Sequence, residues 1–505
     1  FILVGLLFTM SGFRGITSAM AAGPEAHVKG EFGPLHSWPL IPIAMMLMPD
    51  GRVFSYGTTP TGQQNAQLHY AIWDPVQGTG SSAFELLPNT TNTDIFCAAQ
   101  AHIADNGTAL ILGGDELVNG VRNYANDHVN IFDPSIDTMV RQAQNMAYKR
   151  WYASAVTLPS GEHVVLGGRD YKTFAGSATV PPTAATYSST PEVRAIDGSW
   201  RTLSTATSEI AYGSIGGASW YYPRAWVNPQ GDIFIFAHNG GMFKLNVAGT
   251  GALTKYNKAY QASRPNLASI MYAPGKILSI RGNRTTLSVD INGTGNPVVT
   301  FAGYISKDRQ FGDATVLADG RVWVNGGSTT GNNLTGAALD SEVWDPATNT
   351  WALMASAATA RLYHSASLLL LDGTVITGGG GAPGPLKQLN GEIYYPPYLF
   401  KKDGSGEFAH RPDIIDAPTE MMGWNQEFSV EASENISRIT LIKIGAVTHT
   451  FNNEARFFDL PMSGSGSIVT IHTPASANVA PPGYYMLFVW NESGVPSVAK
   501  IIHIG

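Results

Sequence analysis

One pattern of hydrophobic and polar positions recurs along the chain. A short apolar strand leads into a turn that contains glycine, a second apolar strand follows, and most copies end in a glycine cluster. Asp-Gly and Asn-Gly turns are strong hairpin signals, because glycine tolerates the positive φ that these turns require. Seven copies align on a turn glycine, at Gly51, Gly107, Gly161, Gly231, Gly275, Gly320 and Gly373.

The spacing of the copies predicts the fold. The turn glycines lie 44 to 70 residues apart, and repeats of about 50 residues with paired glycines are typical of kelch propellers, which have four strands per blade. We therefore predict an all-β protein in which residues 36–400 form a seven-bladed kelch-type β-propeller. The repeat then stops, and short alternating strands in residues 410–505 predict a C-terminal immunoglobulin-like β-sandwich.

The start of the chain has a different character. Residues 1–10 (FILVGLLFTM) are apolar and uncharged, and small residues follow up to Ala22. A run of this length is typical of a signal-peptide core and is too short to span a bilayer. We interpret residues 1–22 as a signal peptide that is truncated at its N-terminus, and we expect a secreted, extracellular protein without a membrane span. The alternative is a buried N-terminal strand.

Composition narrows the possible partners. Charged residues are 14% of the chain and the net charge is -7, against about 25% charged residues in an average domain. No Lys/Arg cluster occurs, which argues against a nucleic-acid partner. A hydrophobic content of 44% excludes global disorder. We expect a monomer.

The single cysteine and three other residues share one position of the repeat. Cys97 and Tyr363 lie nine residues before the residue that precedes their turn glycine, and Tyr152 and His364 lie eight before it. Equivalent positions of a propeller lie at the same end and radius. If this strand is the innermost one, the four side chains converge on one mouth of the central channel. The alternatives are chance alignment, since the chain has 20 tyrosines, and for Cys97 a role as a small buried hydrophobe.

These residues also carry a family resemblance. The chain from about residue 36 to its C-terminus resembles the radical-copper oxidases, the family that includes galactose oxidase and glyoxal oxidase. The closing stretch PPGYYMLFVWNESGVPSVAKI is similar to the end of galactose oxidase. Four further segments carry the resemblance: DIFCAAQ around Cys97, KRWYASAVTL around Tyr152, ARLYHSASLLLLDGTVITGGGG around Tyr363 and His364, and AVTHTFNNEAR around His449.

The resemblance implies a role for each residue. Cys97 would be joined by a thioether bond to the ring of Tyr152, which would be an equatorial copper ligand and the radical carrier. Tyr363 would be the axial ligand and base. His364 and His449 would supply two imidazole nitrogens, His449 from a C-terminal hairpin that reaches into the channel. The implied cofactors are one copper ion and the protein-derived Cys-Tyr radical.

Such a site suits a two-electron oxidation by oxygen. Oxidising an alcohol or a hydrated aldehyde removes two electrons, whereas one Cu(II) accepts one, so a tyrosyl radical can store the second. Imidazole is a suitable ligand for Cu(II). A free tyrosine titrates near pH ~10, so the second phenol needs the charge of the metal to act as a base. Oxygen then restores the oxidised state and leaves as hydrogen peroxide.

Departures from galactose oxidase bear on the substrate. Galactose oxidase places a tryptophan over the thioether ring, but the corresponding residues 167–171 contain none. Arg150-Trp151-Tyr152 resembles the glyoxal-oxidase branch, and we expect no carbohydrate-binding domain before the repeats. We expect a small aldehyde, reacting as its hydrate, or a primary alcohol, including that of a glycan. The alternative is a catalytically silent kelch propeller that binds a glycan or a protein. Candidates for shielding the radical are Trp151, Tyr171, Trp220 and Trp226.

Overall fold

The structure is a computed structural model that describes residues 22–170, 187–214, 218–260 and 262–505. Residues 1–21 of the predicted signal peptide, and Tyr171 among the candidate shielding residues, lie outside this range. The described residues are almost entirely strands and loops, with two four-residue helices, α1 (Ala26–Lys29) and α2 (Glu209–Tyr212). None of the helices in this part of the chain is long and apolar enough to cross a bilayer.

Antiparallel sheets of consecutive strands follow one another from the N-terminus to residue 395. Two short strands come first, β1 (Glu31–Phe32) and β2 (His36–Ser37). Sheet 1 contains β3 (Ala44–Leu47), β4 (Val53–Tyr56), β5 (His69–Trp73) and β6 (Phe84–Pro88). Sheet 2 contains β7 (Ala99–His102), β8 (Ala109–Leu112), β11 (Val129–Asp133) and β12 (Thr138–Arg141), and between them a ribbon of β9 (Asp115–Val118) and β10 (Val121–Ala125).

The next sheets repeat this plan. Sheet 3 contains β13 (Trp151–Thr157), β14 (His163–Arg169), β15 (Glu192–Arg194) and β16 (Trp200–Thr202). Sheet 4 contains β17 (Ala225–Val227), β18 (Ile233–Phe236), β19 (Gly241–Asn246) and β20 (Ala252–Ala259). Sheet 5 contains β21 (Ser269–Ala273), β22 (Lys276–Ile280), β23 (Thr285–Asp290) and β24 (Val298–Tyr304). Sheet 6 contains β25 (Gln310–Val316), β26 (Val322–Ser328), β27 (Asp340–Asp345) and β28 (Thr350–Ser356). Sheet 7 contains β29 (Ser365–Leu369), β30 (Val375–Gly379) and β31 (Asn390–Tyr395).

The first strand of each sheet lies on the inside of a ring. Strand β13 contacts β7 and β17, β25 contacts β21 and β29, and β29 contacts β3. Inner strands such as β3 and β13 are buried at every residue, whereas outer strands such as β24 and β28 alternate between exposed and half-buried positions. This graded burial explains why the inner strands read as continuous apolar runs. The predicted β-propeller is confirmed.

The ring closes by pairing the two ends of the repeat region. Strand β31 pairs with β30 on one side and with β1 and β2 on the other. Glu31 lies opposite Tyr395, and His36 lies opposite Gly391. The outer edge of sheet 7 therefore comes from the beginning of the chain, and hydrogen bonds across the sheet hold the ring shut.

The C-terminal residues form a separate pair of four-stranded sheets that share a hydrophobic core. The predicted β-rich C-terminal domain is therefore present. Its first sheet has the strand order β32-β33-β39-β38 and its second the order β37-β34-β40-β41. The bounds are β32 (Ile414–Asp416), β33 (Glu427–Ala432), β34 (Ile436–Lys443), β37 (Phe457–Leu460), β38 (Met462–Ser463), β39 (Ile468–His472), β40 (Gly483–Asn491) and β41 (Lys500–Ile504).

One hairpin leaves this domain and enters the propeller ring. It consists of β35 (Ala446–Thr448) and β36 (Phe451–Asn452). Strand β35 pairs with β3 of sheet 1, with Ala44 opposite Thr448, and also contacts β7 and β29. Strand β36 contacts β21 and β25. The hairpin thus lies among the inner strands and carries His449 at its turn.

Candidate metal centre

The structure brings all five sequence-predicted site residues together at one mouth of the ring. Cys97, Tyr152 and His364 lie at or just before the start of inner strands, with φ values of 56°, 70° and 70°, and His449 at the hairpin turn has φ 49°. The left-handed conformation costs an L-residue about 1–2 kcal/mol. It turns the chain so that each side chain points into the channel.

The same backbone conformation occurs at two residues that our sequence analysis did not select. Tyr222 (φ 38°) and Phe311 (φ 63°) are left-handed, and each lies eight residues before the residue that precedes its turn glycine, as Tyr152 does. The ring of Tyr222 stacks on His449 at 4.5 Å, and that of Phe311 lies 4.9 Å from Tyr363. Applying the repeat register to every copy would have found both.

The two histidines present the same nitrogen to the centre. His364 Nδ1 lies 2.7 Å from the Gly381 carbonyl oxygen, so it donates the hydrogen bond and leaves the Nε2 lone pair free. His449 Nδ1 lies 2.6 Å from Thr448 Oγ1, whose hydroxyl donates to the Ile43 carbonyl at 3.0 Å. His449 therefore also carries its proton on Nδ1. The two rings are 4.7 Å apart and nearly perpendicular.

Two phenol groups complete the donor set. The hydroxyl oxygens of Tyr152 and Tyr363 are in hydrogen-bond contact. The Tyr363 ring stacks on His364 at 3.7 Å, and the Tyr152 ring lies 5.1 Å from that of His449. Burial raises the pKa of both tyrosines above the ordinary value and lowers the pKa of His364 to about 3. Without a bound cation the centre therefore holds neutral phenols and neutral imidazoles.

Cys97 lies among these donors. Its Sγ is 3.5 Å from His364 Nε2 and 3.4 Å from His449 Nε2, and Tyr152 donates its backbone N–H to the Cys97 carbonyl at 3.1 Å. The thiol also interacts with the Tyr152 side chain. Burial raises the pKa of Cys97 well above its ordinary value, so the isolated thiol stays protonated.

The residues present suit copper. Two Nε2 lone pairs with fixed tautomers and two phenol oxygens meet in a buried site, and the three ligand atoms from Cys97, His364 and His449 lie within 4.8 Å of one another. Imidazole nitrogen and anionic oxygen are donors that Cu(II) prefers. Both Nδ1 atoms are held by backbone or hydroxyl groups, which is the usual way in which proteins orient metal-binding histidines.

Aromatic rings surround Tyr152, and the one that covers it was not among our candidates. Tyr221 stacks on Tyr152 at 4.8 Å and 24°. Trp151 and Trp220 meet the ring edge-on, at 4.4 Å and 5.9 Å. Trp226 packs instead against Phe451 of the hairpin. Tyr221 directly precedes the register residue Tyr222, but its stacking on Tyr152 is a contact between two repeats that the repeat register does not predict.

A cavity lies beside the centre. The cavity has a volume of about 330 Å³, and its lining includes both Tyr221 and Tyr363. A small molecule in the cavity would therefore contact the ring that covers Tyr152 and the second phenol. The described residues that line it are Tyr221, Arg264, Pro265, Asn266, Phe311 and Tyr363.

Comparisons with known proteins agree with this geometry. Residues 411–504 match a family model described as the galactose oxidase-like, Early set domain. The chain is 27% identical to a galactose oxidase of Gibberella zeae, with 94% of this chain and 70% of that protein covered. It is 22% identical to an aldehyde oxidase of Arabidopsis thaliana, with 83% of this chain and 73% of that protein covered. The structure superposes with a TM-score of 0.81 on a fungal alcohol oxidase of the AA5 family in complex with copper, at 24% identity, covering 94% of this chain and 99% of the other.

These similarities support the copper-radical oxidase family for this chain. They likewise support an oxygen-dependent oxidase of that kind. His449 lies inside the matched C-terminal domain, whereas the other four predicted site residues lie in the propeller. The candidate centre is thus assembled from both parts of the chain.

Proposed function

We propose that the protein is a secreted oxidase of small aldehydes or primary alcohols, in which Tyr152, Tyr363, His364 and His449 hold one copper ion. Hydrated aldehydes and oxygen would give a carboxylic acid and hydrogen peroxide, and alcohols would give an aldehyde and hydrogen peroxide. The observation that carries the proposal is the convergence of two phenol oxygens and two Nε2 lone pairs at the mouth of an open cavity.

The two tyrosines have different tasks in this reaction. Copper(II) bound at the centre supplies a Lewis acid and a one-electron acceptor. Tyr363 lines the cavity, and its phenol oxygen would take the proton of the substrate hydroxyl. Tyr152, as a phenoxyl radical, would take the hydrogen atom from the carbon that bears this hydroxyl. Oxygen accepts both hydrogens and both electrons and leaves as hydrogen peroxide.

Cys97 would be joined to the Tyr152 ring by a thioether bond. Sulfur conjugated to the ring delocalises the unpaired electron and so lowers the energy of the radical. The short contacts of Sγ with both imidazoles also fit a second chemistry, in which a Cys97 thiolate is itself a metal ligand. The two possibilities differ in whether the thiol survives.

Mass spectrometry separates them. After exposure to copper and oxygen, we expect the intact protein to lose the mass of two hydrogen atoms, and the denatured protein to resist thiol alkylation. We expect the Cys97→Ser variant to bind copper but to release almost no peroxide. An active wild-type enzyme whose Cys97 is fully alkylated after denaturation would falsify the cross-link and favour the thiolate ligand.

The substrate class is tested by the products and the rates. Tyr221 and Phe311 give the cavity apolar walls, which favour a small molecule over a sugar ring with hydroxyls on both faces. We expect kcat/KM for glyoxal or methylglyoxal to exceed that for galactose, measured as peroxide release by copper-loaded enzyme. A ratio below one would assign the protein to the alcohol-oxidising members of the family. A protein that binds no stoichiometric copper would instead favour a silent propeller.

A further inference from the structure

Three sheets of the propeller contain the same buried arginine arrangement. Arg150 of sheet 3, Arg309 of sheet 6 and Arg361 of sheet 7 have almost fully buried side chains. Each is paired with a glutamate on the third strand of its own sheet, at 2.9 Å, 2.7 Å and 3.2 Å. The glutamates are Glu192, Glu342 and Glu392.

The remaining hydrogen bonds of this arrangement also repeat. Each arginine Nη1 donates to the carbonyl of a glycine on the second strand, at 2.6 Å, 3.1 Å and 3.1 Å. The second carboxylate oxygen of each glutamate accepts a backbone N–H from the residue three positions before the arginine, at 2.6 Å, 2.8 Å and 2.7 Å. We call this arrangement the arginine lock. In each case the lock holds the chain just before a residue that lines the site.

Sheet 5 has the arginine but lacks the glutamate. Arg264 lies ten residues before the residue that precedes its turn glycine, the position that Arg150 and Arg309 occupy in their repeats. In the locks, the glutamate is paired across the sheet with the fourth residue after the turn glycine. In sheet 5 the corresponding pair is Ser279 and Leu287. A buried leucine therefore stands where the carboxylate would be.

Without this partner, the Arg264 side chain is exposed and lines the cavity in front of Tyr363. No carboxylate forms an ion pair with it among the described residues. The undescribed stretches 1–21, 171–186, 215–217 and 261 contain neither Asp nor Glu. The chain thus offers no acidic partner for Arg264 from those stretches either, and the guanidinium is available to a ligand.

Asn266 is a second polar residue in the wall of the same cavity. Asn266 occupies the register position of sheet 5, and Phe311 donates its backbone N–H to the Asn266 carbonyl at 2.7 Å. Asn266 Nδ2 donates to Gln310 Oε1 at 3.3 Å, which fixes the amide and turns Oδ1 the other way. Asn266 Oδ1 is buried and has no hydrogen-bond partner among the described residues. The two hydrogen bonds to Phe311 and Gln310 hold Asn266 in the cavity wall close to Arg264.

We propose that the preferred substrates carry a carboxylate as well as the reacting carbon. The Arg264 guanidinium, which is exposed in the cavity that Tyr363 also lines, binds the carboxylate. This inference rests on the proposed function, because it concerns the substrate of the same site. Guanidinium and carboxylate form charge-assisted, often bidentate hydrogen bonds, which makes arginine a selective partner.

Kinetics with two substrates of equal chain length test the proposal. For copper-loaded wild type, we expect a higher kcat/KM for succinic semialdehyde, which carries a carboxylate, than for butanal. In Arg264→Gln we expect the value for succinic semialdehyde to fall about tenfold to a hundredfold, mainly through KM. The value for butanal should stay within twofold. Arg264→Lys should retain part of the preference, because it keeps the charge but not the fork of donors.

The matched control is Arg284→Gln, an exposed arginine of the same sheet whose guanidinium lies over the Tyr304 ring. It should leave both substrates unchanged. A wild type that prefers butanal, or an Arg264→Gln variant that loses activity equally on both substrates, overturns the proposal while leaving the oxidase function intact.

Binding to the copper-free protein gives a readout independent of turnover. We expect calorimetric titration to detect butanoate but not the neutral isostere butanamide, and Arg264→Gln to abolish the butanoate signal. Equal binding of both molecules, no binding of butanoate, or undiminished butanoate binding in the variant contradicts the anion site. Arg264-dependent butanoate binding in a protein that oxidises no substrate would instead support the anion site and reject the proposed function.

Discussion

Most residues of the centre share an unusual backbone conformation. Cys97, Tyr152, Tyr222, Phe311 and His364 are all left-handed at the start of an inner strand. Backbone hydrogen bonds join them across sheets, since Tyr222 N–H donates to the Tyr152 carbonyl at 2.8 Å and Tyr152 N–H to that of Cys97. The conformational cost is offset by these contacts and by the rings that pack on one another.

At the same scale, Tyr221 is expected to protect the radical that we propose on Tyr152. Tyr221→Ala removes the ring that stacks on Tyr152 and opens it to solvent, so the radical should decay several-fold faster in substrate-free enzyme. Tyr221→Phe keeps the stacked ring and should decay at nearly the wild-type rate. The measurement is the loss of the radical absorption band with time after oxidation. Equal decay in the Ala and Phe variants would assign the protection to another ring.

At the scale of elements, the arginine locks connect each sheet to the residue that it presents to the centre. Arg150 precedes Tyr152 by two residues and Arg361 precedes Tyr363 by two. Each lock joins three strands of one sheet. A shift of the third strand would therefore move the arginine and, with it, the start of the first strand. The glutamates contribute nothing to the centre directly and act only through the arginines.

Removing only the arginine of a lock should lower the free energy of unfolding, whereas replacing both the arginine and the glutamate by apolar residues should lower it much less. Arg150→Met leaves Glu192 buried without its partner, and we expect the free energy of unfolding to fall by about 3–5 kcal/mol. Arg150→Met combined with Glu192→Leu should recover most of this loss, since an apolar pair of similar volume replaces the ion pair. Urea unfolding of the copper-free protein measures both values.

Arg309→Met is the matched control for the effect on the centre. It breaks the same lock in sheet 6 and should cost a similar free energy, but its sheet supplies no metal ligand. Copper affinity should therefore fall in Arg150→Met and change little in Arg309→Met. Similar losses of copper affinity in both variants would indicate general loosening rather than positioning of Tyr152.

At the scale of the whole molecule, the propeller and the C-terminal domain pack against each other through a shared hydrophobic cluster. A single buried hydrophobic cluster contains Leu368 and Val316 of the propeller together with Met486 and Phe488 of the C-terminal domain. At the root of the hairpin, Lys443 and Glu454 form a buried ion pair at 2.6 Å, and Thr157 of sheet 3 donates to Glu454 at 2.9 Å. The hairpin that carries His449 is therefore anchored to both parts.

Copper should stabilise this assembly as one unit, because the proposed ligands come from both parts of the chain. We expect a single calorimetric unfolding transition that moves to higher temperature on copper loading, by about 2.7 kcal/mol of added stability when free copper is 100 times Kd. Removal of copper with a chelator should reverse the shift.

His449→Ala should abolish most of the copper-induced shift. His472→Ala is the control, because His472 is exposed on the C-terminal domain and lies 3.5 Å from Glu427, and it should keep the wild-type shift. Loss of the shift in His472→Ala, or a second transition that copper leaves unmoved, would contradict a centre shared by both parts of the chain.

The sequence alone determined the repeat and, through it, most of the centre. Turn glycines and apolar runs are local signals, because a hairpin is specified by a few adjacent residues. Aligning the copies therefore predicts that Cys97, Tyr152, Tyr363 and His364 lie at one mouth of the channel. His449 lies outside the repeats, and only the resemblance to a known family pointed to it.

The tertiary structure alone decided which side chains meet across the ring. The insertion of the hairpin beside β3, the stacking of Tyr221 on Tyr152 and the unpaired Arg264 all depend on contacts between segments far apart in the chain. Such contacts are set by packing and by the presence or absence of a distant partner, as when Leu287 takes the place of a lock glutamate. Local sequence periodicity carries no information about them, because the same strand pattern fits either partner.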